Sequence, residues 1–196
     1  MTVRTFIALE LSEELKEGIL ALRRDLEARG VRASWAGPST MHLTLRFLGD
    51  VEEEGLPEII GGVGRAASSA PEFRFETGGV GAFPSPRRPS VIWVGVEPND
   101  ELFDLQGAIE RELSTSGFPR ERRPFRPHIT VGRIRDRAGP RDLTGVLASL
   151  EGPREAVHVR DVRVMKSTLK PSGAVHETLA TLPLEGGGAP SGSRRP

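Results

Sequence analysis

No cysteine occurs in the 196 residues, so disulfide bridges and thiolate ligands are excluded and a reducing, cytoplasmic setting is the natural home. Long apolar runs are also missing: none approaches the ~20 residues that a membrane helix needs. The opening MTVRTFIALELSEELKEG sets a short apolar patch directly before acidic, helix-forming sequence, which is not a secretory layout. Charge excess is absent too, since 27 basic residues balance 27 acidic ones. A protein that coats long nucleic acid needs a positive surplus to neutralise phosphates, so that class is excluded. Recognition of one phosphate, or of an RNA end, by a few arginines is not. Tyrosine is missing altogether, and histidine is scarce at four residues: His42, His128, His158 and His176.

What is present reads as an ordinary globular chain, 37% hydrophobic and 28% charged, long enough to bury a sizeable core. Val3 to Leu11 alternates like a strand. Ser12 then caps a helix whose apolar positions Leu15, Ile19, Leu22 and Leu26 keep helical spacing until Gly30 stops it. Short strands are expected at Val31–Trp35 and Met41–Leu48, a second helix at about Leu56–Ser69, and strands at Phe73–Phe83 and Val91–Val96. Asn99 or Asp100 starts a third helix, His128–Ile134 is a strand, and a short helix near Leu143–Leu150 precedes strands near Ala156–Leu169 and Ala174–Leu184. Adjacent strands between helices predict an α+β fold: two mainly antiparallel sheets flanked by helices, in one bilobal domain over residues 1–184. Residues 185–196, rich in Gly, Ser and Arg, form a disordered tail by composition. A monomer is the expected state.

Two of the four histidines open the same phrase, Met41-His42-Leu43-Thr44-Leu45-Arg46-Phe47 and Pro127-His128-Ile129-Thr130-Val131-Gly132-Arg133, one in each half of the chain. Alternation along a strand puts His and Thr two positions apart on one face. Leu43, Leu45 and Phe47 would then anchor the first strand on a core, as Ile129 and Val131 would the second. One such phrase alone is usually structural, with histidine bonded to a carbonyl and threonine chosen for strand propensity. Two, in matching contexts, point to chemistry. Splitting a phosphodiester needs one proton removed from the attacking oxygen and another given to the leaving oxygen. Histidine titrates nearest neutrality, so two imidazoles can divide these tasks. Threonine hydroxyls and an arginine can hold the non-bridging oxygens.

With these phrases the chain resembles the 2H phosphoesterase superfamily, and more closely the bacterial and archaeal LigT-like (ThpR) RNA 2′,3′-cyclic phosphodiesterases. The resemblance rests on Arg4-Thr5-Phe6-Ile7-Ala8, His42 to Gly49, Gly81-Ala82-Phe83-Pro84 followed by Val91-Ile92-Trp93-Val94-Gly95, Phe125 to Arg133, and Ser167-Thr168-Leu169 with Gly173. It implies a bilobal, pseudo-twofold LigT-like fold with both motifs in one cleft. It also implies hydrolysis of a 2′,3′-cyclic phosphate, on an RNA end or a small cyclic nucleotide, to a 2′-phosphate with neither metal nor cofactor. The same site would in principle support the reverse joining of RNA ends through a 2′,5′ linkage. Carried over, His42 is the proton donor, His128 the proton acceptor, and Thr44, Thr130 and Arg133 bind phosphate.

Strict alternation sets Arg133 opposite His128, and a bulge permitted by Gly132 would re-aim it. Where relatives often carry a tyrosine after the final glycine, this chain has His176, either a third site imidazole or a partly exposed strand histidine. Arg46, on the His42 face by alternation, and Trp35 and Phe125, as base-stacking rings, are candidate substrate contacts. Gly61-Gly62-Val63-Gly64 and Gly78-Gly79-Val80-Gly81 lack the spacing of phosphate loops and read as turns. A non-catalytic nucleotide- or RNA-end-binding module with the same cleft is the competing reading. A metal hydrolase is less favoured, because clustered ligands are not evident.

Overall fold

A computed structural model describes residues 1–134, 142–171 and 173–185. The tail expected at 185–196 therefore lies, beyond Glu185, outside the described residues. Nine strands are described: β1 (Thr2–Leu9), β2 (Ser34–Trp35), β3 (Leu43–Glu52), β4 (Phe73–Phe83), β5 (Val91–Val96), β6 (His128–Arg133), β7 (Ala156–Val159), β8 (Asp161–Lys170) and β9 (Gly173–Pro183). They alternate with α1 (Glu13–Ala28), α2 (Leu56–Ser68), α3 (Asp100–Thr115) and α4 (Thr144–Ala148). All the described strand pairs are antiparallel, in the order β7-β4-β5-β6-β3-β1-β8-β9, with β2 also beside β6.

That order divides into two four-stranded halves, β9-β8-β1-β3 and β6-β5-β4-β7, which meet at a single paired position, Leu43 opposite Ile129. The α+β fold with two antiparallel halves is thus the one expected. Each half has a strand–helix–strand unit at its centre, β1-α1-β3 in one and β5-α3-β6 in the other.

Local chemistry accounts for the helices. The Ser12 side chain accepts from the Leu15 N–H and the Asn99 side chain from the Leu102 N–H, each satisfying a donor at a helix start. Acidic residues follow both caps, where the positive helix end favours them. Leu15, Ile19, Leu22 and Leu26 of α1 are buried with Ile7 and Leu9 of β1, and Leu102, Leu105, Ile109 and Leu113 of α3 join the same core. Residues Leu43, Leu45, Ile129 and Val131 line it from the strands, as expected.

Several elements differ from the sequence expectation. The stretch near Ala156–Leu169 is two strands, β7 and β8, which run in opposite halves of the sheet. The two glycine phrases are not turns: Gly61–Gly64 lies within α2 and Gly78–Gly81 within β4. Packing explains both. The helix glycines face α3 at Glu112 and β9 at Leu182, while Gly81 lies under the Trp93 indole, where an added Cβ would meet Cζ2 at 2.2 Å. Phe47 is not a core anchor; it is 47% exposed, with the Arg4 guanidinium 4.6 Å above its ring.

Candidate active site

The one-residue junction between the halves dictates the site. Because Leu43 and Ile129 pair in antiparallel register, one step along each strand sets His42 beside Thr130 and Thr44 beside His128. These four side chains emerge on the face opposite the buried Leu43 and Ile129. The two histidines become diagonal neighbours, a relation that separates side chains by about 7–8 Å.

Each strand then breaks its alternation just after the threonine. Between β1 and β3, Ala8 pairs with Thr44 and Ile7 with Arg46, which leaves Leu45 as an extra residue. Between β5 and β6, Trp93 pairs with Thr130 and Ile92 with Gly132, which leaves Val131 extra. The bulge expected near Arg133 is present, with the unpaired residue at Val131 rather than Gly132. Gly132 serves a different need: Trp35 lies against it, and a Cβ there would stand 2.6 Å from the indole Cε3. After the slip, Arg133 returns to the His128 face. Its charge is close enough to both histidines to depress their pKa values.

The imidazoles are held by matching contacts. His128 Nδ1 lies 2.7 Å from the Arg126 carbonyl, which can only accept, so Nδ1 carries the hydrogen and Nε2 keeps a free lone pair. The Thr40 backbone, two residues before His42, acts on its imidazole in the sense that raises the pKa. Phe6 stacks at 4.7 Å from the His42 ring, and Phe83 stands edge-on at 4.9 Å from His128. Burial first, then the neighbouring His176, with Arg133 and His128 adding less, together lower the His42 pKa from 6.5 to about 4, against the raising effect of the Thr40 backbone. Burial also lowers His128, with Arg133 adding to it and the Arg126 carbonyl opposing it.

His176 lies in this cluster, its ring 5.1 Å from His42 and 4.9 Å from Phe6. Burial lowers its pKa, and its Nδ1 is buried without a partner among the described residues. The remaining histidine, His158, sits on edge strand β7 with Nε2 2.9 Å from Glu72.

The other candidates are engaged elsewhere. Arg46, on the far side of the Leu45 slip, donates through Nη2 to the Pro119 carbonyl at 2.6 Å and pairs with Glu110 at 3.3 Å and Glu121 at 3.6 Å. Its guanidinium braces α3 and the loop after it instead of sharing the His42 face. Trp35 packs on Gly132 with Arg23 5.8 Å from its ring, and Phe125 meets Phe103 of α3 edge-on at 5.7 Å. Sequence reasoning misses Phe6 and Phe83 as partners of the histidines. Only the phrases Arg4-Thr5-Phe6 and Ala82-Phe83-Pro84, part of the family resemblance, hint at them.

Beside His42 opens a cleft of about 210 Å³ whose lining includes Glu10, Lys16, Met41, Arg163, Met165 and His176. Among the described residues no three His, Asp or Glu side chains cluster to hold a metal, and no helix is long and apolar enough to cross a membrane.

The Thermotoga maritima RNA 2′,3′-cyclic phosphodiesterase is 36% identical over 94% of this chain and 97% of its own length. The Aeropyrum pernix protein of the same name is 38% identical over 83% of this chain and 93% of its own. A crystal structure of a Thermus thermophilus protein superposes with a TM-score of 0.78 at 27% identity, covering 94% of this chain and 100% of that one. E. coli LigT in apo form, at 23% identity, shares the fold with a TM-score of 0.74 over 93% of this chain and 97% of its own. The model of the LigT-like phosphoesterases matches twice, at residues 9–93 and 94–176, one match for each histidine motif. Duplicate matches, relatives and fold agree: this chain belongs to the LigT-like phosphoesterase family.

Proposed function

We propose that residues 1–184 act as one catalytic unit that hydrolyses a 2′,3′-cyclic phosphodiester, on an RNA end or a small nucleotide, to a 2′-phosphate. The reaction type is that named for its curated relatives, at 28–38% identity. The observation that carries the mechanism is the Nδ1-pinned His128, whose free Nε2 lone pair meets the requirement for a general base.

In this reading His128 Nε2 takes a proton from water as the water oxygen bonds to phosphorus. The bond from phosphorus to O3′ breaks, and O3′ takes the proton held by His42. Thr44 and Thr130 donate to non-bridging oxygens, and Arg133 offsets their charge in the transition state. His42, held near pKa 4 in the free protein, is a neutral imidazole at pH 7. The phosphodiester anion, entering between the histidines, favours the imidazolium, so substrate binding itself loads the acid. No metal ion takes part. The same proton positions also serve 2′,5′ joining of RNA ends: a 5′-hydroxyl replaces water as the nucleophile, His128 takes its proton, and O3′ leaves with the proton from His42.

The test is turnover of a nucleoside 2′,3′-cyclic phosphate in EDTA, comparing the wild type with His42→Ala and His128→Ala. The expectation is a 2′-phosphate product and a loss of about 10²–10⁴-fold in either variant. Activity abolished by EDTA in the wild type would sink the metal-free mechanism. Binding of the nucleotide with no turnover would favour a recognition module in the same cleft.

A further inference from the structure

The two halves carry equivalent strands, yet their clefts are unequal. Ala8 is the β1 residue paired with Thr44, and Trp93 is the β5 residue paired with Thr130. In the second half the indole fills the face, lying over Gly81 and approaching Gly95. In the first half a methyl group leaves that space open, and the cleft next to His42 occupies it. Its volume of about 210 Å³ greatly exceeds the ~10–15 Å³ that a single water requires, so it is shaped for a larger group. A nucleotide whose phosphate lies between the histidines therefore has one open side for its base.

The far end of that cleft is charged, with one carboxylate more than its cations. Lys16, only 8% exposed, sets Nζ 2.8 Å from Glu13 and 3.4 Å from Glu10. Arg163 pairs with the other oxygen of Glu10 and, at 3.2 Å, with Asp161. Three carboxylates against two cations do not favour a second phosphate. They do present an acceptor and donors side by side: a partly exposed carboxylate flanked by an ammonium and a guanidinium. Met41 and Met165 add polarizable, apolar lining suited to a flat ring.

Resting on the phosphodiesterase reading above, we infer that this cleft is a base subsite that selects guanine. The Glu10 carboxylate accepts from guanine N1–H and N2–H together, and the Lys16/Arg163 side donates to O6. Adenine and cytosine offer Glu10 an amino group without the adjacent ring N–H, and uracil offers a single N–H between two carbonyls. Only guanine presents the two-donor, one-acceptor edge, and a bidentate match of this kind discriminates by about tenfold or more.

The experiment compares kcat/KM for the four nucleoside 2′,3′-cyclic monophosphates on the wild-type protein, then on Glu10→Gln. Guanosine 2′,3′-cyclic phosphate should lead by about tenfold, and Glu10→Gln should collapse the guanine-to-uracil ratio towards one. Equal turnover of all four bases, or a lead by another base, overturns the subsite while leaving the phosphodiesterase intact. An unchanged ratio in Glu10→Gln overturns it as well. Absence of turnover with every nucleotide would instead defeat the parent reading, and the subsite with it. The wild-type comparison decides the question even if Glu10→Gln fails to fold.

Discussion

Leu43 of β3 pairs with Ile129 of β6, and through this one contact the two halves of the sheet set their histidine motifs face to face. His42 directly precedes β3 and His128 opens β6, and the next residue of each strand is fully buried. The pair therefore inherits the rigidity of the core.

Acid should weaken the fold in a specific window. An unfolded histidine titrates near 6.5, whereas His42 in the fold titrates at about 4. Between those values the unfolded chain binds the additional proton, so stability falls as pH drops through the window and is untouched by His42 above it. By the lower end the cost is on the order of 3 kcal/mol. The urea midpoint should accordingly drop further between pH 7 and pH 4.5 in the wild type than in His42→Gln, which has no imidazole to protonate there. Equal acid losses in the two proteins would refute the assignment.

The pH profile of activity should differ between free and bound enzyme. Both site histidines are shifted below 6.5 in the free protein. The kcat/KM profile reports the free enzyme and kcat the complex, and an anionic substrate raises both imidazole pKa values. The optimum of kcat/KM should fall below pH 6.5, with that of kcat displaced upward. Superimposable optima would contradict substrate loading of the acid.

Arg133 carries two separable effects. Its removal as Arg133→Ala should cost about 10²–10³-fold in kcat/KM through lost charge stabilisation. It should also move the kcat/KM profile to higher pH, because its positive charge depresses both histidines. Arg133→Lys should keep much of the pH position but recover rate poorly, since an ammonium lacks the planar fork. A rate loss without any pH displacement would place Arg133 away from the imidazoles.

Arg46 should act on stability and not on chemistry. Only 11% of its side chain is exposed, and Arg46→Ala removes the paired cation from the similarly buried Glu110 carboxylate, leaving it only the neutral donors Gln106 Nε2 and Glu121 N–H. A loss of about 3–5 kcal/mol in unfolding free energy is expected. Measured on the folded fraction, kcat/KM should stay within a few-fold of wild type. A large rate loss in a stably folded variant would restore Arg46 as a substrate contact.

Much of this arrangement is legible in the sequence. The His-x-Thr phrases, their strand setting, the helix cap at Ser12, a helix start at Asn99 or Asp100 and the α+β class all follow from local patterns. What escapes is non-local. Whether Phe47 faces the core or solvent depends on slips in its pairing with β1, and alternation alone assigns the wrong side. Arg46 finds its carboxylate on α3, far along the chain, so its burial has no local signature. The His42–His176 contact depends likewise on β9 returning beside β8, two strands from the motif.

The extra residue after Thr130 acts as a half-period phase shift in a two-residue wave. Its effect on Arg133 comes from the count of residues, not from the chemistry of Val131. Substitution at Val131 can alter packing but cannot turn Arg133 around; only adding or deleting a residue does that. The site is thereby shielded from the commonest kind of mutation at this point, and exposed to the rarer one that changes chain length.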